Sequence, residues 1–259
     1  MKSTANCNVP YAANGQNCRC RNLCDSCALF DLCRPQAECT QTPPPLEPVA
    51  KHPQTLKKGE FLFRVGDPFR ALFLIQSGSV KTSILSHGGN VQILRFALPR
   101  ELLGVNAIAT ARYPSEAVAL ETTQLCELAF AQLETLAQTQ PDVQHRLLRL
   151  LSDEIARDEK LMAMLGHQKA DVRLADCLLD FHRRCPRTGQ TTGAPFRLPM
   201  SRQDIADYLG LSLETVSRLL SRFQMAGLLH VQGRQVQLLD IVRLQSIGNP
   251  GTVVPARLA

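Results

Sequence analysis

No stretch of the chain reaches the roughly 18 consecutive apolar residues that a membrane-crossing helix needs, so no transmembrane segment is expected. The first residues also lack the apolar run of a secretory signal, and the expected location is therefore the cytoplasm. Missing too are a Gly-x-Gly-x-x-Gly dinucleotide loop, a Walker-type phosphate loop and a His-Glu-x-x-His zinc signature. The histidines, His52, His87, His145, His167, His182 and His230, are scattered, and no nucleophile and base can be paired from them. These absences argue against an enzyme. Residues 1–47 are poor in large apolar side chains and cannot build a core of their own.

What is present divides unevenly. At 259 residues and 44% hydrophobic, the chain can bury one or two ordinary cores. Of the net charge of +6, most sits after residue 165, where twelve Lys and Arg face seven Asp and Glu. A basic terminal third suits a polyanionic partner, although a solvated basic face has the same composition. Cysteine is skewed to the other end: Cys7, Cys18, Cys20, Cys24, Cys27, Cys33 and Cys39 all precede residue 40. In a reducing compartment such a cluster reads as metal ligation or redox chemistry, not as a disulfide framework.

Along the chain, Pro43, Pro44 and Pro45 mark a linker after the cysteine-rich segment. From His52 to Leu133 short apolar stretches, Phe61–Val65, Leu72–Gln76 and Val91–Phe96, alternate with Gly59, Gly66–Asp67, Gly78 and Gly88–Gly89–Asn90. That pattern predicts a small antiparallel roll or barrel, with helix beginning near Ala129. Pro141 opens a long helix. On it Leu148, Leu151, Ile155, Asp158, Met162 and Leu165 recur at spacings of three and four, a coiled-coil seam interrupted by one carboxylate. The same stripe would also suit a helix packed on its own domain, although an unpaired Asp is costly to bury. A further helix is expected over Val172–Arg183. The chain thus divides into 1–47, a roll at 48–138, a long helix at 139–168, a C-terminal domain at 169–247 and a tail, in the α+β class.

The most specific segment is Ser201–Ala226. Ser201 suits an N-cap with Asp204 in the first turn, Gly210 a tight break, Ser212 a second N-cap, and Gly227 a terminator. Ile205, Ala206, Leu209, Val216 and Leu219 fall where two crossing helices touch. This predicts a helix-turn-helix whose second helix enters the major groove of double-stranded DNA. Glu214, Ser217 and Arg218 share one face: Arg218 can donate twice to guanine, and Glu214 can accept from cytosine N4. Ser212, Thr215, Arg202 and Arg222 are placed as phosphate contacts. Leu228–Leu239, with Gly233–Arg234 inside, reads as a hairpin wing.

A cysteine-rich N-terminus, β-roll, long dimerisation helix and C-terminal winged helix-turn-helix, in that order, resemble the CRP/FNR regulators. Over Leu211–Gln224, Glu214, Ser217 and Arg218 match the FNR base-reading pattern Glu-x-x-Ser-Arg. Cys24-x2-Cys27-x5-Cys33 resembles the ligand spacing of FNR-type oxygen sensors, and Cys126 matches their distant fourth ligand. The resemblance implies an oxygen-labile [4Fe–4S] cluster that promotes homodimerisation and DNA binding without oxygen, at palindromes of TTGAT-type half-sites, with RNA polymerase as a further partner. Cys20 resembles a cysteine that is not a ligand in some relatives. Four thiolates also make a zinc site, and spacing alone does not separate the two. A cyclic-nucleotide receptor would need a Glu and an Arg in the roll, where this chain has Val105 and Pro114, with Arg112 out of register. Nucleotide binding is not expected.

Overall fold

The structure, a computed structural model, describes residues 54–85, 88–185 and 194–248. Two antiparallel four-stranded sheets face each other in the first half. They are built from β1 (Gln54–Leu56), β2 (Phe61–Phe63), β3 (Ala71–Ser77), β4 (Val80–Leu85), β5 (Val91–Ala97), β6 (Leu102–Leu103), β7 (Glu116–Ala119) and β8 (Thr123–Ala129). The orders are β1-β8-β3-β6 and β2-β7-β4-β5. This is the expected roll, with more strands than the three apolar stretches suggested. The strand predicted over Phe61–Val65 ends at Phe63 because the Arg64 amide donates to the Asp67 carboxylate at 2.8 Å, which closes a turn onto Gly66.

Burial explains β3. Ala71, Phe73 and Ile75 point between the sheets, where they meet Phe63, Val80, Leu103, Tyr113 and Leu125. Leu72 and Leu74 point outward and are covered by Leu133 of α1 (Phe130–Thr139) and Val143 of α2 (Pro141–His167). With both faces covered, the strand reads as a continuous apolar run.

The long helix α2 begins at Pro141, as the missing N–H of proline allows. Leu148, Ile155 and Met162 are 56%, 60% and 65% exposed, Leu151 and Leu165 are half-buried, and Asp158 is exposed. Leu148, Ile155 and Met162 of the predicted seam are thus left exposed, while Leu151 and Leu165 are partly covered.

α3 (Ala170–Arg184) is slightly longer than predicted and leads to β9 (Phe196–Arg197), α4 (Arg202–Leu209), α5 (Leu213–Met225), the hairpin β10 (Leu229–Gln232) and β11 (Gln235–Leu238), and α6 (Ile241–Gly248). Their core does not stop at the edge of this unit. Ile93 and Phe96 of β5 are buried in the same cluster as Leu174, Leu178, Ile205 and Leu209. The Phe96 ring meets Phe181 and Tyr208 edge-on, at centroid distances of 5.7 and 5.1 Å. No helix among the described residues is long and apolar enough to cross a membrane.

Candidate nucleic-acid interface and cysteine site

The helix-turn-helix is built by its caps. The Ser201 hydroxyl accepts from the Asp204 amide at 3.0 Å and the Asp204 carboxylate accepts from the Ser201 amide at 2.8 Å, a reciprocal capping box. Gly210 adopts φ 62°, a left-handed conformation that disfavours a side chain, and the chain turns there. Ser212 then caps α5 by accepting from the Thr215 amide at 3.1 Å. Ile205, Ala206 and Leu209 on α4 and Val216 and Leu219 on α5 are all buried at the crossing. Fixing α4 and α5 this way decides which face of α5 is left outside.

That face carries Glu214 and Arg218, 80% and 72% exposed and 3.8 Å apart, with Ser217 half-buried beside them. An ion pair this exposed costs little to open, so both side chains can be turned to base edges. Ser212 and Arg202 are exposed, and Thr215 is half-buried with its hydroxyl 2.9 Å from that of Ser212. Arg222, expected as a phosphate contact, has a partner within the protein. Its guanidinium donates to Asp171, at the start of α3, at 3.0 Å, and would have to leave that pair to reach a phosphate.

Sequence reasoning missed how the reader is tied to the roll. Lys81 of β4 donates to the Asp204 carboxylate at 2.6 Å, and Gln92 of β5 donates to the Asp207 carbonyl at 2.8 Å. Arg184 of α3 donates to Glu101 at 2.9 Å and to the Phe96 carbonyl at 2.6 Å. Arg95 of β5 pairs with Glu154 on α2. Burial pushes the Glu101 carboxyl up, but Arg184 and Arg95 overcome it and hold the group below the usual carboxylate range. For Glu154 burial wins, and its carboxyl is raised despite Arg95 and Arg157. No sequence signal marks these residues, since each partner lies on a distant element.

At the other site, Cys126 sits on β8, half-buried, opposite Leu74 and in contact with the apolar layer under α1 and α2. Its sulfur accepts from Gln76 Nε2 at 2.7 Å. Cys24, Cys27 and Cys33 lie outside the described residues, as do Cys7, Cys18, Cys20 and Cys39. Cys177 and Cys185 are buried in the C-terminal half. Burial pushes both thiols up, Cys185 to about 12, so both stay protonated and poor as ligands.

Residues 172–247 match the Crp-like helix-turn-helix domain, and residues 53–140 match the cyclic nucleotide-binding domain. The chain is 42% identical to the transcriptional activator protein Anr of Pseudomonas aeruginosa over 85% of this chain and 90% of that protein. It is 38% identical to the anaerobic regulatory protein of Pasteurella multocida over 87% of this chain and 82% of that one. The chain belongs to the FNR-type CRP/FNR transcription regulators. Among solved structures of this family, FixK2 of Bradyrhizobium japonicum superposes with a TM-score of 0.70 and 31% identity, covering 78% of this chain and 98% of that one. Like its CRP/FNR relatives it is a DNA-binding regulator and not an enzyme.

Within the roll, Tyr113 is part of the buried core. Tyr113 stacks on Phe63 at 3.9 Å between ring centroids, and its hydroxyl donates to the Ala71 carbonyl at 2.7 Å inside the roll. Arg112 points outward and donates to the Gly66 carbonyl at 2.7 Å. Pro114 is exposed and Val105 opens a short 3-10 turn.

Proposed function

We propose that this protein is an anaerobic transcription activator that binds DNA as a homodimer under the control of an oxygen-labile [4Fe–4S] cluster. Cys24, Cys27, Cys33 and Cys126 are its ligands, and TTGAT-type palindromes are its sites. The reading is carried by the exposed Glu214–Ser217–Arg218 face of α5, on a chain 42% identical to a relative named as a transcriptional activator. The uncovered stripe of Leu148, Ile155 and Met162 supports dimerisation, which pairs two reading helices with two half-sites.

Among the described residues no three His, Cys, Asp or Glu side chains are gathered for a metal, and Cys126 is the one assigned ligand there. Its surroundings fit a metal-bound thiolate. Cys126 is half-buried beside an apolar layer, and its sulfur faces an amide donor whose other end, Gln76 Oε1, is buried without a hydrogen-bond partner among the described residues. Leu147 and Leu150 of α2 border the same apolar layer as Cys126. When bound, the cluster supplies sensitivity to oxygen; what the chain supplies is the thiolates, the apolar wall and the helix whose pairing depends on them. The protein acts in the cytoplasm, takes no cyclic nucleotide in the roll, and meets RNA polymerase when bound at a promoter.

Purification without oxygen followed by iron and sulfide analysis tests the reading. Four irons and four sulfides per chain, with specific DNA binding lost during timed exposure to air, are expected. Stoichiometric zinc with binding indifferent to air would establish instead a zinc-stabilised regulator.

A further inference from the structure

On β3 the two-residue period puts Leu72, Leu74 and Gln76 on the outer face of the sheet. Leu74 lies opposite Cys126, and a bulge between Ile75 and Ser77 shifts the ladder beside it. Gln76 therefore stands diagonally across from the cysteine and places its Nε2 at 2.7 Å from the sulfur. The rest of this face is apolar, formed by Leu72, Leu74, Leu102 and Leu128. A leucine at 76 would continue it, whereas the glutamine leaves Oε1 buried with no hydrogen-bond partner among the described residues. The amide is thus badly suited to packing alone. It is well suited to serving a thiolate, which can only accept, because Gln76 turns its donor end to the sulfur.

We propose that Gln76 is a positioning residue for the cluster, holding Cys126 Sγ by an N–H···S bond and slowing the cluster's oxidation. This rests on Cys126 being a ligand. A donor at a ligand sulfur withdraws electron density and stabilises the more reduced cluster. A donor here would make it harder for dioxygen, itself reduced to superoxide, to take one electron from a cluster bound at Cys126. Without the donor that electron leaves more readily.

The test uses the full-length protein purified without oxygen, as parent, Gln76→Leu, Gln76→Glu, Gln76→Lys and Cys126→Ser. Gln76→Leu and Gln76→Glu are expected to carry the parent's iron and sulfide, to show a lower reduction potential, and to bleach in air about 10-fold faster. Gln76→Lys, which retains an N–H donor of similar reach, should stay at or above the parent potential and bleach no faster. Parent-like potential and bleaching in Gln76→Leu, with Cys126→Ser unable to assemble a cluster, would overturn this inference and leave the ligand assignment standing. Full iron and sulfide in Cys126→Ser would overturn the assignment, and the role of Gln76 with it.

Discussion

Arg218 and Glu214 lie 3.8 Å apart in solvent, a state that suits side chains meant to be turned toward a partner. If Arg218 makes a bidentate guanine contact, Arg218→Ala should cost about 1–3 kcal/mol on the specific palindrome and little on random DNA. Binding to specific and scrambled duplexes at one salt concentration decides it, and equal losses would make Arg218 a phosphate contact. Arg222 differs at the same scale: its bond to Asp171 ties α5 to α3 within the protein. Sequence showed the type and spacing of these arginines. It did not show that Arg222 has an internal partner, because Asp171 is fifty-one residues away.

At the scale of the element, α4 is both capped and tethered through one carboxylate. Burial pushes the Asp204 carboxyl up, but hydrogen bonds from Lys81 and Ser201 overcome this and hold it below the usual range. A carboxyl lowered on folding stabilises above its unfolded value, and that contribution is lost as pH falls through the folded value. The stability difference between the parent and Lys81→Ala should therefore be full near neutral pH and shrink below about pH 4. Thermal melting across that range measures it, and a difference that persists undiminished in acid would exclude Asp204 as the partner. The cap itself is separable: Ser201→Ala should lower stability by about 1 kcal/mol by the same measurement, while no change would show that Asp204 and Lys81 suffice.

At the scale of the whole molecule, α2 joins the roll to the C-terminal unit along the chain. Its Glu154 takes Arg95 from the roll, while its Leu148, Ile155 and Met162 face outward. Parallel pairing of two such helices would bring two Asp158 carboxylates together, opposing the attraction of the apolar seam. A dimer near balance is one that a modest push can decide, and the cluster is the proposed push. Asp158→Ala should accordingly dimerise and bind DNA in air, without a cluster. Sedimentation of the aerobic variant checks this: a monomer at micromolar concentration would remove Asp158 as the brake. Phe96 has a comparable reach within one chain. It is a strand residue of the roll buried against Phe181 and Tyr208, so Phe96→Ala should cost about 3–5 kcal/mol, measured by denaturant unfolding.

Local chemistry made much of this protein legible from its residues in order. Ser201, Gly210 and Ser212 specify where two helices start and stop, because caps and left-handed turns depend on neighbours a few positions away. The alternation of glycine with short apolar stretches marks the roll, and the three-and-four spacing on α2 marks its stripe. Only the tertiary structure decided that Phe96 and Ile93 belong to the core of the DNA reader and that Lys81 holds its first helix. It also decided that Gln76 faces Cys126, fifty residues further along the chain. Such contacts follow from how two sheets and several helices pack, and packing joins residues whose separation along the chain carries no periodic signal.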